Sequence, residues 1–300
     1  MSKNNSKTIF NLFYHSVGGV LIFMNYFRHN LFGYRTPRTF SSEDIDRVLD
    51  YDFGVVRGWL KYYVKFFSES VKDKVIFELG PGPDLGIGLI LLAMGAKKYI
   101  AIDVHSLLNQ TPAIFYSKLF KRIEAEFPSV DIKSLQSELT KCLSGQGERL
   151  RHVVDPKFSL LKINEKVDIV FSQAAFEHFD DVPVVIQELG KILNNGGCLI
   201  ALIDLKTHTG WIRDKDPLNI YRYSDWYWNT FKFKGSPNRL RSFEYVELIR
   251  KNDWSDVKIE PMKTLDVDKV KRIKPSLSKR FRDLEINELS FLSVMFLAKR

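Results

Sequence analysis

A turn rich in glycine and proline, set between two apolar segments, constrains the fold of this chain more than any other feature. Residues 74–79 are typical of a short buried strand, and the turn Gly80-Pro81-Gly82-Pro83 follows directly. An apolar helix is expected over about 85–94, and a second buried strand over 99–104. Strand, turn, helix and strand within about 30 residues predict two parallel strands joined by a right-handed crossover.

The same turn carries a chemical signal. Glycines let a backbone approach a ligand closely, and the start of the following helix offers free N–H groups. Asp103 ends the next strand, 25 residues after Glu78. An acidic side chain at that point can accept hydrogen bonds from both hydroxyls of a ribose. The sequence therefore predicts a cofactor that contains a nucleoside.

The spacing of the glycines distinguishes between two such cofactors. A dinucleotide site needs the pattern G-x-G-x-x-G, but Leu85 stands where the third glycine of that pattern would fall after Gly80 and Gly82. Glu78, at the end of a buried strand, would repel a pyrophosphate and favour an ammonium or sulfonium group. S-adenosylmethionine has both of these cations, a ribose and no phosphate. The charges therefore favour it over a nicotinamide dinucleotide.

At residues 75–104 and 167–205 the chain resembles the class I S-adenosylmethionine-dependent methyltransferases, in particular those of methyltransferase type 11. In that family an acidic-x-G-x-G turn holds the methionine part of the cofactor, and Glu78 begins the matching turn here. Glu177-His178 resembles a pair that often follows the family's fourth strand. The cofactor-binding residues expected on this basis are Glu78, Gly80, Pro81, Gly82, Asp84, Asp103, Val104, Ser172 and Gln173.

The resemblance implies an α/β fold, with a doubly wound, mostly parallel, seven-stranded sheet. It also shows departures, because the family often has a glycine at the position of Asp84, and no counterpart is identified for the acidic residue that often contacts adenine after the third strand. That strand is expected in or just after 107–155 and is not placed. The other elements are expected as strands at 167–172, 198–205, 257–260 and 290–298, and as helices at 41–72, 183–193 (closed by a turn at 194–197) and 242–251.

The sequence predicts a helical extension at 1–70 and one methyltransferase domain at 71–300. The first part of the extension ends in a turn at 33–38. An insert at about 206–240 is rich in aromatic residues and is interpreted as a lid of the acceptor pocket, or else as a helix packed on the sheet. Residues 262–288 are basic and expected to be irregular.

Candidates for the transfer step follow the fourth and fifth strands, where ligands gather in open α/β sheets. His178 and His208 are candidate acid/base groups, and Asp204 is a candidate for orienting either of them; the alternatives are a structural hydrogen bond for His178 and an exposed loop position for His208. Asn238, Arg239 and Arg241 could hold an anionic part of the acceptor, or else serve as surface charges or as contacts at the start of a helix. No metal site is predicted.

Charge and composition restrict the partners. The net charge is +9, and residues 206–300 hold 21 Lys and Arg against 13 Asp and Glu, a net charge of +8. This excess suits a phosphorylated substrate, a nucleic acid or a lipid surface, and equally a solvated face. We expect O- or N-methylation of a small-molecule or glycan-type acceptor. The alternatives are an RNA methyltransferase and an inactive cofactor-binding scaffold.

Two further segments concern location. Residues 17–27 are mostly apolar but shorter than the roughly 18 to 20 residues that span a bilayer, so they are interpreted as a packed helix or as a segment that touches a membrane surface. Cys142 and Cys198 are too few for a disulfide framework. A reducing, cytoplasmic location is therefore expected.

Overall fold

The computed structural model describes residues 3–33, 39–252 and 254–300 of the chain, and the side chains from residue 8 onward. Most of the turn expected at 33–38 lies outside these residues. The strands are β1 Val75–Leu79, β2 Lys98–Asp103, β3 Leu150–Val154, β4 Val167–Gln173, β5 Leu193–Asp204, β6 Ser255–Thr264 and β7 Phe291–Lys299. The helices are α1 Lys3–Phe32, α2 Ile45–Phe67, α3 Gly86–Ala93, α4 Ala113–Glu126, α5 Ile132–Leu143, α6 Val182–Ile192, α7 Ile212–Lys215, α8 Asp225–Phe231, α9 Ser242–Arg250, α10 Val267–Ile273, α11 Lys279–Arg282 and α12 Ile286–Ser290.

The seven strands form one sheet in the order β3-β2-β1-β4-β5-β7-β6. β1 pairs in parallel with β2 and β4, whereas β7 runs antiparallel to both β5 and β6. The strand order reverses between β1 and β4, and a crevice opens beyond the carboxyl ends of strands at such a point. The glycine turn therefore begins at the place where open α/β sheets bind ligands. The predicted doubly wound, mostly parallel sheet is confirmed.

Two apolar layers hold the sheet. α2 is amphipathic, and its Trp59 is fully buried and stacks on Phe171 of β4 with ring centroids 4.6 Å apart. Truncating a buried tryptophan of this kind to alanine costs about 3 to 5 kcal/mol. α3 is apolar on all sides because helices and strands surround it. A Cβ at Gly88 of α3 would overlap the ring of Tyr99, so this glycine makes room for a residue that contacts the functional site.

The third strand is β3 and lies inside the stretch where it was expected, whereas two other local predictions need correction. The turn at 194–197 is part of β5, where Gly196 has a φ of +80° and the pairing with β4 shifts register. Residues 262–288 are not irregular, because they end β6 and then form α10, α11 and the start of α12, packed on the insert through Val270, Ile273 and Phe281. These helices have seven residues or fewer, so none is long enough to show a repeated helical pattern of apolar residues in the sequence.

Candidate functional site

The glycine turn has the backbone conformation that its composition predicts. Gly80 has a φ of +72° and Gly82 a φ of +81°, a region that favours glycine. The Gly80 N–H donates to the carbonyl of Ile102 at 2.9 Å, which ties the turn to β2. A Cβ at Gly80 would lie 3.0 Å from that of Ala175, whereas a Cβ at Gly82 would meet nothing within 4 Å. The turn therefore leaves open space beside Gly82.

Glu78 lies beneath this turn and is almost completely buried. Its carboxylate accepts a hydrogen bond from the hydroxyl of Tyr99. Burial raises the pKa of Glu78 to about 8, because the charged form loses its hydration; Tyr99 opposes this shift, and the charges of Asp84 and Asp103 add to it. Glu78 is therefore an acid that a cationic ligand would ionise.

A second carboxyl pair lies at the start of α3. Asp84 accepts from the Gly86 N–H at 2.8 Å and so caps the approach to that helix. Asp52 of α2 packs against it, with both side chains buried and one Asp52 oxygen without a hydrogen-bond partner. Burial raises the pKa of Asp84 to about 6, and burial together with Asp84 raises the pKa of Asp52 far above its ordinary value.

Sequence reasoning missed Asp52 and its neighbour Tyr51, which hydrogen-bonds Gln173. The available signal was an aspartate on the apolar stripe of α2, between Leu49 and Phe53, where a solvated charge is not expected. The packing of α2 on the sheet brings both residues to the cofactor side of the turn.

Asp103 ends β2 and is buried at the same edge. Its carboxylate accepts from the N–H groups of Val104 at 2.6 Å and His105 at 3.3 Å, and the Gly82 N–H also faces it. Burial raises the pKa of Asp103, although the three N–H donors stabilise its charged form and oppose this shift. Within the described ranges, no Lys or Arg forms an ion pair with Glu78, Asp52, Asp84 or Asp103. The site is thus acidic and lacks a cation, as the methionine part and ribose of S-adenosylmethionine require.

The remaining predicted cofactor residues lie close by. Ser172, fully buried in β4, donates to the carbonyl of Leu79 at 3.4 Å and so supports the end of β1. Gln173 ends β4 beside Tyr51. Pro81 is part of the turn itself.

An acidic residue does follow the third strand. Asp155 comes directly after β3, and its N–H donates to the carbonyl of Asp103 at 2.9 Å. Its carboxylate accepts from Lys162 at 2.8 Å and from the Ser159 N–H at 2.9 Å, and the bond from Lys162 lowers its pKa. The residue escaped notice in the sequence because the strand before it was not placed.

His178 and His208, which are 30 positions apart in the sequence, meet at the ends of β4 and β5. Their ring centroids lie 4.9 Å apart. Nδ1 of His178 is 2.7 Å from the carbonyl of Gly235, and Nδ1 of His208 is 3.0 Å from that of Lys206. Burial lowers the pKa of His178 and lowers that of His208 to about 4, with the charge of His178 as a further cause for His208. Both imidazoles are therefore neutral at pH 7.

Glu177 completes this histidine cluster (Glu177, His178 and His208). It is 2% exposed, and neither of its carboxylate oxygens accepts a hydrogen bond of normal geometry. Its nearer oxygen lies 3.9 Å from Nε2 of His208. Burial raises the pKa of Glu177 to about 8, although the N–H groups of Glu177 and Asp204 face the carboxylate and oppose the shift.

Asp204 bonds to neither histidine, contrary to the role expected for it. Its carboxylate accepts from Arg213 and from the Lys206 N–H at 3.0 Å, and the Lys206 ammonium lies 3.4 Å away. Backbone carbonyls orient the histidines instead. Asp204 therefore holds Arg213, and with it the start of the insert, against the end of β5.

The insert runs along the carboxyl edge of the sheet. The hydroxyl of Tyr221 donates to the carbonyl of Leu205 after β5, Gly235 meets His178 after β4, and Lys234 donates to the carbonyl of Pro156 after β3. These contacts support its interpretation as one wall of an acceptor pocket. α1 packs on the insert's outer side, since a Cβ at Gly18 would overlap the side chains of Asn219 and Tyr223.

The two arginines considered for an anionic acceptor are structural. Arg239 is buried, lies 4.9 Å from the centroid of the Phe281 ring and donates to the carbonyl of Tyr223 at 2.8 Å. Arg241 is fully buried and donates to the carbonyl of Phe291 at 2.8 Å. Neither guanidinium is available at the surface, so the expectation of an anion site at these residues is wrong.

Comparison with known proteins agrees with the fold. Residues 114–201 match the family model of a methyltransferase domain, which leaves the glycine turn outside the matched stretch. The matched stretch and the seven-stranded sheet together support a methyltransferase that uses S-adenosylmethionine as its cofactor.

Solved structures include similar folds at low sequence identity. The S-adenosylmethionine-dependent methyltransferase of Mesorhizobium loti is 13% identical, with 85% of this chain and 100% of that chain covered and a TM-score of 0.43. The YcgJ protein of Bacillus subtilis is 14% identical, with 81% and 97% covered and a TM-score of 0.43. The search of curated proteins found no match. Among the described helices, none combines the length and apolar character that crossing a membrane requires.

Proposed function

We propose that the chain transfers a methyl group from S-adenosylmethionine to an oxygen or nitrogen of a small-molecule or glycan-type acceptor. The observation that carries this proposal is the pairing of two sites at one sheet edge. Around the glycine turn lies an acidic, cation-free site, and beyond Ala175 lies the buried histidine cluster. The first suits a cationic cofactor, and the second suits a neutral acceptor that must lose a proton.

The cofactor roles follow from charge and position. Glu78 and the pair Asp52 and Asp84 would face the ammonium, and Asp103 would accept from the ribose hydroxyls. Asp155 stands where the family often has its adenine contact, and we assign it to that end of the site. When bound, S-adenosylmethionine supplies an electrophilic methyl on a positive sulfur, so that a lone pair of the acceptor forms the new bond as the carbon–sulfur bond breaks.

The histidine cluster would take the acceptor's proton. A backbone carbonyl can only accept, so Nδ1 of each imidazole carries its hydrogen and Nε2 keeps a free lone pair. His178 and His208 are thus two candidate bases, fixed in orientation by Gly235 and Lys206. Positioning the acceptor beside the methyl supplies much of the remaining rate enhancement.

Calorimetry with S-adenosylmethionine and transfer of labelled methyl to a metabolite extract test this function. Asp103→Asn should weaken cofactor binding about 10- to 100-fold through loss of charge-assisted hydrogen bonds, whereas Glu124→Gln, at an exposed site on α4, should leave it unchanged. His178→Gln and His208→Gln should bind cofactor normally and lose transfer. Absence of cofactor binding by the wild type would refute the proposal.

The alternatives remain distinguishable. The basic C-terminal third motivates an RNA methyltransferase, but Arg222, Arg239 and Arg241 are buried and contribute to no surface patch. RNA affinity that falls steeply with salt would favour that alternative. Tight cofactor binding without transfer to any extract or RNA would favour an inactive scaffold.

The location and division of the chain are proposals as well. Both cysteines are free and buried, which supports a reducing, cytoplasmic compartment. α1 and α2 would form the extension of residues 1–70, and residues 71–300 the enzyme domain with its insert.

A further inference from the structure

The histidine cluster brings together three side chains that can each donate an electron pair to a metal ion. The ligand atoms of Glu177, His178 and His208 lie within 4.8 Å of one another. Both Nδ1 atoms lie against backbone carbonyls, which leaves a free lone pair on Nε2 of each ring. The Glu177 carboxylate is buried without a hydrogen-bond partner. A buried charge without a partner is costly, so an ionised Glu177 needs a cation at this position.

We propose that Glu177, His178 and His208 bind one divalent transition-metal ion, with zinc as the reference occupant. Two imidazole nitrogens and one carboxylate oxygen form the ligand set of catalytic zinc sites, which leave further positions open. A carbonyl that accepts from Nδ1–H and fixes the ring is the usual support of a metal-binding histidine. Gly235 and Lys206 provide this support here.

The surrounding charges permit this ion. The nearby cations Arg213 and Lys206 are both paired with Asp204, and Asp204 accepts from them rather than from the cluster. The carbonyl of Glu177 accepts from the Asn238 N–H at 2.7 Å, so the end of the insert also fixes the cluster. A site built from β4, β5 and the insert would thus be rigid.

The function of the ion rests on the proposed methyl transfer. An acceptor hydroxyl bound at an open metal position would have a lowered pKa and give its proton to solvent. Its oxygen would then form the new bond to the methyl carbon as the carbon–sulfur bond of the cofactor breaks and the neutral thioether leaves. In that case the two imidazoles serve as ligands and not as bases. The acceptor would then be a hydroxyl compound that can coordinate a metal.

Cobalt and zinc titrations of the whole chain without cofactor or acceptor test the site. Cobalt should bind one ion per chain with visible bands typical of a low-coordinate site, and zinc should displace it and raise the thermal stability. Glu177→Gln and His208→Gln should each weaken cobalt binding at least tenfold, as loss of one ligand requires. His152→Gln, a half-buried histidine on β3, should bind as the wild type does.

The outcomes separate this inference from the function. Glu177→Gln removes a buried acid and keeps its shape, so folding should survive and circular dichroism can check it. No saturable cobalt site, or binding equally strong in both variants, would overturn the metal site. Methyl transfer that persists with a chelator present would leave the proposed function standing and overturn the metal's part in it.

A separate observation concerns α1, whose outer face is apolar and exposed. At a helical turn of 3.6 residues, these side chains fall on one stripe that lies largely opposite the face packed on the insert, with Phe23 at its edge in contact with Phe231. The stripe is about 30 Å long at 1.5 Å per residue. Its members are Ile9, Leu12, Phe13, Val20, Phe23, Met24, Phe27 and Leu31.

The charge of this segment favours one occupant. Residues 1–42 contain five basic residues, Lys3, Lys7, Arg28, Arg35 and Arg38, and no Asp or Glu. Trp211 of the insert, 52% exposed, lies beside Tyr14 of α1 with ring centroids 6.0 Å apart, and tryptophan is typical of the boundary between lipid and water. We infer that α1 lies in the surface of an anionic membrane, apolar stripe inward.

Flotation with phosphatidylcholine vesicles, with and without phosphatidylglycerol, tests this inference. The wild type should float with the anionic vesicles, less so at high salt, and Leu12→Asp with Leu31→Asp should reduce the bound fraction at least fivefold. Ile114→Asp with Val184→Asp, at exposed apolar positions in the first turns of α4 and α6, should float as the wild type does.

Other results would overturn the membrane assignment. Absence of binding to anionic vesicles, or equal loss in the control pair, contradicts it. A dimer in solution that the α1 pair dissociates, without vesicle binding, would assign the stripe to a second copy of the chain. Light scattering on the same samples detects this case.

Discussion

Glu78 offers a test of the site that needs no acceptor. In the unfolded chain its carboxyl has the ordinary pKa of 4.5, and in the folded chain burial raises the pKa to about 8. Because the folded pKa is the higher one, the folded state holds the proton more tightly. The stability this gives is fully present below pH 4.5 and is lost as the pH rises to about 8.

The magnitude follows from the two values. A tenfold change in proton affinity corresponds to about 1.4 kcal/mol, so ionising Glu78 in the folded protein costs about 5 kcal/mol at pH 8 and above. Glu78→Gln stays neutral at every pH and keeps a carbonyl that accepts from Tyr99. The variant without cofactor should therefore gain stability over the wild type as the pH rises, by at least about 2 kcal/mol between pH 5.5 and 8.5.

Urea denaturation at several pH values measures the difference between the two proteins. The difference is the relevant quantity, because the buried acids Asp52, Asp84 and Glu177, whose pKa values burial also raises, are common to both proteins. Glu124→Gln, which removes an exposed carboxyl of α4, is the matched control for loss of a carboxyl at the surface.

Cofactor binding provides the second half of the test. The wild type should release close to one proton on binding S-adenosylmethionine at pH 7, since the ammonium favours ionised Glu78; calorimetry in two buffers with different ionisation heats detects this release. Glu78→Gln should bind at least tenfold more weakly and release less. A stability difference that does not change with pH, together with no proton release, would refute the reasoning.

Three further substitutions test other parts of the structure. Gly82→Ala adds strain at a φ of +81°, but its Cβ would meet nothing within 4 Å, so it should cost about 1 kcal/mol of stability. The loss of cofactor-binding free energy should be larger than this loss of stability. Denaturation and calorimetry measure the two losses. Gly18→Ala should separate α1 from Asn219 and cost about 1 to 3 kcal/mol by denaturation, because overpacking displaces neighbours. Gly54→Ala, in α2 with open space around it, should instead stabilise the protein by about 0.5 to 1 kcal/mol. If Gly18→Ala and Gly54→Ala lost equal stability, the docking of α1 on the insert would be contradicted.

Prediction from sequence worked best where the signal was local. Six of the seven strands were placed within a few residues, because most of them are short apolar runs ended by glycine or a polar residue; β6 is the exception. β3 was not placed, since Arg151 and His152 interrupt its apolar pattern and only its first residue is fully buried. Asp155, which follows β3, was therefore not recognised as the acidic residue after the third strand.

The sequence by itself determined the strand–turn–helix–strand unit, the glycines with positive φ, and the acidic ends of β1 and β2, because all of these depend on neighbours in the chain. Only the tertiary structure decided which distant residues share the site. It brought Asp52 from α2 to Asp84, set His208 beside His178, and buried Arg239 and Arg241. The reason is physical: strand order decides which ends meet, and burial removes the water that would otherwise keep Glu78 and Glu177 charged at neutral pH.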